Sequence, residues 1–164
     1  MALTTDVQVS ISGVYTLALD LVTKSANLAK NYALHLDTGT GLSQGDVIFS
    51  DQRTMSGLDS LDMTGGGLLD NLGNTWAPAR IKGIFVFAAV ANSANVLLRR
   101  PATNGVPWLT AAGDEIIIVP GGFAMVWAPS AAGFAVTAGT GDLIDLAPAS
   151  GTLIYDIIII GASA

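Results

Sequence analysis

The chain has 164 residues, of which 51% are apolar and only 12% charged, with seven Lys and Arg against thirteen Asp and Glu and no cysteine. The missing cysteines exclude disulfide frameworks, thiolate zinc sites, cysteine nucleophiles and iron–sulfur clusters. A net charge of −6 with scattered basic residues argues against nucleic acid or an anionic membrane as partner.

The charged share is half the usual value of about 25%, too little to coat a monomer of this size, so subunit contacts are expected to hide part of the surface. The apolar stretches 84–90 and 157–160 fall far short of the roughly 18 residues that cross a membrane as a helix. The start, Met1-Ala2-Leu3-Thr4-Thr5-Asp6, has no basic region followed by an apolar core, so no secretory signal is expected and synthesis in a cytoplasm is the expectation.

In chain order, Val7, Val9 and Ile11 alternate with Gln8, Ser10 and Ser12, the period of a half-buried strand. Tyr15, Leu17, Leu19 and Leu21 continue the alternation after Gly13, which predicts a hairpin turning at Gly13. Residues 25–30 carry some helical propensity, enough for a turn and too short for a stable helix. Ten further apolar runs follow, at 32–36, 47–49, 58–63, 81–88, 95–98, 115–119, 123–128, 134–137, 143–146 and 153–160. Gly, Pro, Ser and Asp separate them, as in Thr38-Gly39-Thr40-Gly41, Gly65-Gly66-Gly67 and Pro120-Gly121-Gly122. Many short strands without an amphipathic helix between them predict an all-β chain, a single antiparallel β-sandwich domain over 1–164, with a jelly roll as one arrangement of it.

Three runs are apolar on both faces: Ile84-Phe85-Val86-Phe87, Ile116-Ile117-Ile118-Val119 and Ile157-Ile158-Ile159-Ile160. One sheet face meets the opposing sheet, so the other needs a second cover, which a neighbouring subunit supplies. The isoleucine run is also prone to β-aggregation unless both its edges are paired, which predicts a central or interface strand at Ile157, Ile158, Ile159 and Ile160.

Residues that could carry chemistry are few. Gly41-Leu42-Ser43-Gln44-Gly45 has the spacing of a nucleophile elbow, but a strand follows it and the single histidine, His35, lies upstream of it. His35 has no second histidine with which to bind a metal. Asp59, Asp62 and Asp70 lack calcium-loop spacing, and the glycine clusters lack the Lys-Ser/Thr of a phosphate loop. No enzyme, cofactor or metal site is therefore expected. Trp127 lies in an apolar run and is expected in the core, while Trp108, beside Pro107, is expected near the surface as a subunit anchor or, with the tyrosines, a sugar-stacking platform. Arg99 and Arg100 end an apolar run and are candidates for contact with an acidic partner.

Several segments together carry a resemblance: Val119-Pro120-Gly121-Gly122, the stretch from Gly133-Phe134 through Ala135-Val136-Thr137-Ala138-Gly139-Thr140-Gly141-Asp142, and the ending Tyr155-Asp156-Ile157-Ile158-Ile159-Ile160-Gly161-Ala162-Ser163. With these, Ala77-Pro78-Ala79-Arg80-Ile81-Lys82 and the first five residues, the chain resembles small virion proteins of tailed bacteriophages encoded among head and tail structural genes. The resemblance implies a capsid decoration or cement protein: a homo-oligomer, a trimer favoured, bound to the major capsid protein on the outer surface of the head. A tail, neck or head-fibre subunit is the alternative within that class, and a glycan-binding module on the virion is the alternative outside it. A tail-tube subunit needs a long hairpin for ring stacking, and no polar long-loop hairpin of that kind is expected from the sequence.

Overall fold

The computed structural model describes residues 2–65 and 67–163. The middle of the Gly65-Gly66-Gly67 turn lies outside the described residues, and the remaining chain forms eleven strands and no helix. Strand β1 (Thr5–Ala18) pairs antiparallel only with β2 (Thr23–Leu36), giving a two-stranded ribbon. Strands β3 (Val47–Met55), β4 (Asp59–Asp62), β5 (Arg80–Ala88), β6 (Val96–Arg99), β7 (Glu115–Ile118), β8 (Phe123–Trp127), β9 (Phe134–Ala135), β10 (Leu143–Pro148) and β11 (Leu153–Ala162) build the body.

The body is two antiparallel sheets packed face to face, one in the order β4-β10-β6-β7 and the other β3-β11-β5-β8 with β9 beside β5. It is the β-sandwich that the alternation of apolar runs and turn residues predicts. The core lies between the sheets, with Leu61, Leu98, Ile144 and Leu146 from one meeting Ile84, Val86, Ile157 and Ile159 from the other. Most successive body strands pass from one sheet to the other, so most pairings join distant parts of the sequence.

Strand β11 shows why the isoleucine run stays in one place. It pairs with β3 on one edge and β5 on the other, so its backbone offers no free edge. Ile157 and Ile159 point into the core, and Ile160 is buried where the β5 partner register slips. That slip skips Lys82, which makes Lys82 the extra residue of a bulge between Ile81 and Gly83. Ile158 alone of the four faces outward, 41% exposed.

Two local expectations fail in the ribbon. Gly13 is not its turn: it sits mid-strand opposite Leu28, and the chain reverses at 19–22, where the Leu19 amide donates to the Val22 carbonyl. Residues 25–30 form no helical turn but lie within β2, because pairing along all of β1 outweighs a weak local preference.

Candidate assembly surfaces

The ribbon is tied to the body at one end. Leu36 is fully buried and Thr5 half-buried, while the rest of β2 outward from Ala33 is exposed. Beyond Leu36 the chain folds back through 37–46, with the Asp37 amide donating to Ser43 O and the Gly45 amide to Asp37 O. Across the ribbon's base His35 lies opposite Asp6 and binds it through Nδ1 at 2.6 Å, while Nε2 meets Asp37 Oδ1 at 3.0 Å. A carboxylate stands at each ring nitrogen, an arrangement both nitrogens can serve as donors when the imidazole is protonated, and the bonds to Asp6 and then Asp37 push its pKa up.

Lys82 holds the same region from the body side. Its side chain is buried without a carboxylate partner among the described residues, and Nζ donates to the carbonyls of Gly41, Ser130 and Ala131. Arg80 adds bonds to the Thr40 and Ala131 carbonyls. Burial, and then the neighbouring Arg80 charge, push the Lys82 pKa down. The two cations thus clamp the 38–45 loop against the 128–133 loop, and the Ser43 amide completes the clamp by donating to Pro129 O. One lysine inside the apolar 81–88 run was the available sequence signal for this clamp, and reading the run only as a strand passes over it.

Alternation gives the ribbon two unlike faces. On one, Val7 pairs with Leu34, Val9 with Tyr32, Gly13 with Leu28 and Tyr15 with Ala26. On the other, Ser10 pairs with Asn31, Ser12 with Ala29 and Thr16 with Ser25. Nothing among the described residues covers the apolar face beyond its base: Tyr15 is 73% exposed and Leu28 52%. A two-stranded ribbon standing alone is at best marginally stable in water, so an uncovered apolar face of this length calls for a partner.

A second apolar surface lies on the outside of the β3-β11-β5-β8 sheet. Phe85, Phe87, Phe123 and Ile158 line a shallow depression there, with Phe123 69% exposed. Trp127, expected in the core, lies on this outer face instead, half-buried and edge-on to Phe85 at 6.0 Å. The backbone of Gly83 allows that stacking, since a Cβ there would sit 2.9 Å from both rings. The doubly apolar runs are therefore covered on one face only, and Ile117 in β7 is likewise exposed.

The other singled-out residues have internal partners. Trp108 is corrected from a surface anchor to a core residue, 5% exposed, because the 100–114 loop folds over the sandwich end with the Val106 amide bonded to Leu143 O. Arg100 holds that loop through the Leu109 and Thr110 carbonyls. Arg99 pairs with Glu115 on the adjacent strand at 2.6 Å. Of the isoleucines, Ile157, Ile159 and Ile160 are removed from any outer surface by burial, leaving Ile158 there. In the elbow-like segment the Ser43 amide donates to Pro129 O and its carbonyl accepts from the Asp37 amide.

Asp62 caps the amides of Thr64 and Gly65, and Asp70 those of Leu72 and Asn74. Asp59 accepts two bonds from Arg53 and one from the buried Tyr155 hydroxyl at 2.7 Å, joining β3, β4 and β11. Burial, followed by that bond to Asp59, pushes the Tyr155 phenol far up. No group of three potential metal ligands occurs among the described residues.

The chain matches no family model, and comparison with curated proteins and with solved structures found no match.

Proposed function

We propose that this chain is a structural subunit of a tailed-phage particle that decorates the outer face of the head and reinforces the contacts between major capsid subunits. The observation that carries the assembly part of this reading is the β1–β2 ribbon, with its apolar face bare from beyond its base to its tip. The particle comes from the end-to-end resemblance to phage virion proteins. Numbered within the body, the strand orders β3-β11-β5-β8 and β4-β10-β6-β7 are those of an eight-stranded jelly roll, an architecture used by capsid subunits and by lectins. This is a likeness of fold, which supports the role without defining it.

On this reading the stabilisation is additive: each copy contributes modest apolar contact, repeated over the shell, against the outward pressure of packaged DNA. The long ribbon also favours a second reading, a tail subunit, since a long hairpin is what ring stacking in a tail tube uses. The glycan-binding alternative loses its main candidate with the burial of Trp108. Immunogold labelling of intact particles with antibody against the recombinant protein separates these readings. Label over the whole head supports decoration, label confined to tail or neck supports the second reading, and unlabelled particles reject a surface role on the virion.

A further inference from the structure

We infer that the apolar face of the ribbon of one copy docks on the outer face of the β3-β11-β5-β8 sheet of a second copy. The inference shares with the proposed function only the premise that copies of the chain meet in an assembly.

Charge selects the occupant. The only charged side chains on the ribbon's apolar face are Lys24 and Lys30, opposite Leu17 and Ile11, and neither forms an ion pair among the described residues. Two ribbons packed face to face would bring four lysines to one apolar seam with no carboxylate among them, which costs rather than stabilises. The outer sheet face has the missing charge. Asp156 is the one acidic residue on that face of the four strands, and its side chain is bonded only by the Gln52 amide, at 2.8 Å.

Shape agrees with charge. Gly13 leaves a notch in the ribbon, with no atom within 4 Å of where its Cβ would be, beside Tyr15, Ala26 and Leu28. Phe123 on the sheet is a protruding ring that fits such a notch. Asp156, Phe87 and Phe123 lie on one rung across three strands, so Asp156 and Phe123 are roughly 10 Å apart at strand spacing. Lys30 is one same-face rung from Gly13 and on the neighbouring strand, a diagonal of about 8 Å, and its flexible chain makes up the difference. Ring and carboxylate can therefore meet notch and amine together. At about 3.4 Å per residue the ribbon extends some 45 Å, enough to reach across to a neighbour. The contact is heterologous, so three or more copies close a ring and two close a reciprocal exchange.

The native chain has no cysteine, so introduced thiols report contact without background. Leu28→Cys and Phe123→Cys proteins, each full length, are mixed under mild oxidation and the products identified by mass. The inference predicts the mixed disulfide between the two variants as the main product. A Leu28→Cys homodimer as main product, or no cross-link at all, overturns it. A second experiment reverses the charges: Lys30→Glu and Asp156→Lys singly should each weaken self-association about tenfold or more, and the double variant should recover it. Failure of the double variant to recover, with wild-type circular dichroism, also overturns the docking. Particle labelling with ribbon–ribbon cross-links defeats this docking alone, and the mixed cross-link with unlabelled particles defeats the virion reading alone.

Discussion

Neighbouring isoleucines of β11 offer a test of the sandwich at single-residue resolution. Ile159 is fully buried between the sheets, so Ile159→Ala removes methylene and methyl groups from a packed core and leaves a cavity, at a cost of about 3–4 kcal/mol. Ile158, one residue earlier, points outward at 41% exposure; trimming it creates no internal cavity and forfeits only part of a transfer term, about 1 kcal/mol or less in the isolated subunit. For a chain of this length each kcal/mol lowers Tm by roughly 2–4 °C, giving a drop of about 6–16 °C for Ile159→Ala and about 4 °C or less for Ile158→Ala. Differential scanning calorimetry at low protein concentration measures both. Equal losses would refute the assignment of faces, and the reverse order would place the strand one residue out of register, since such a slip exchanges the two faces.

Four further outcomes follow from particular contacts. Tyr155→Phe leaves Asp59 without its buried hydroxyl donor and should cost about 1.5–3 kcal/mol by chemical denaturation, while in the native protein Tyr155 should stay protonated through pH 10, where an ordinary phenol ionises in a spectrophotometric titration. The His35 midpoint, read by NMR, should lie above 6.5; because the folded-state pKa is raised, its tie across the ribbon base is complete below about pH 6.5 and is lost as pH rises through the raised value, and Asp6→Asn should lower the midpoint. Lys82→Met takes the donor from three carbonyls and should speed hydrogen exchange at the Ser43 amide at least tenfold, with the body strands keeping their protection. Arg99→Ala, which breaks a part-exposed pair with Glu115, should change stability by less than about 1 kcal/mol in a denaturant titration.

The body was legible because its strands are short apolar runs between residues that favour turns, and all nine runs from 47–49 onward fall on its strands. The ribbon was less so. Residues 23–31 contain Lys24, Asn27 and Lys30, which weaken any strand signal, and their conformation is imposed by β1 rather than by their own preference. Gly13 looked like a turn because glycine commonly is one; in β1 it instead leaves open the space beside Leu28. Trp108 shows the limit of reading exposure from neighbours in sequence, since Gly105 and Pro107 mark a loop but not which side of the sandwich end it covers. The outer-face role of Trp127 was hidden for a related reason: in a strand apolar on both faces, sequence alone does not say which face turns inward.

The proposed role is addition to the outside of a phage head as copies joined through their ribbons. Its most direct test is to purify heads from a lysate in which this gene is deleted, add recombinant protein, and measure what pellets with them. Wild-type protein should co-sediment saturably, and a Tyr15→Ser, Leu28→Ser variant, whose changes lie on the exposed ribbon away from the core, should bind at least tenfold more weakly. Wild-type protein remaining in the supernatant, or the variant binding as well as wild type, would contradict this role.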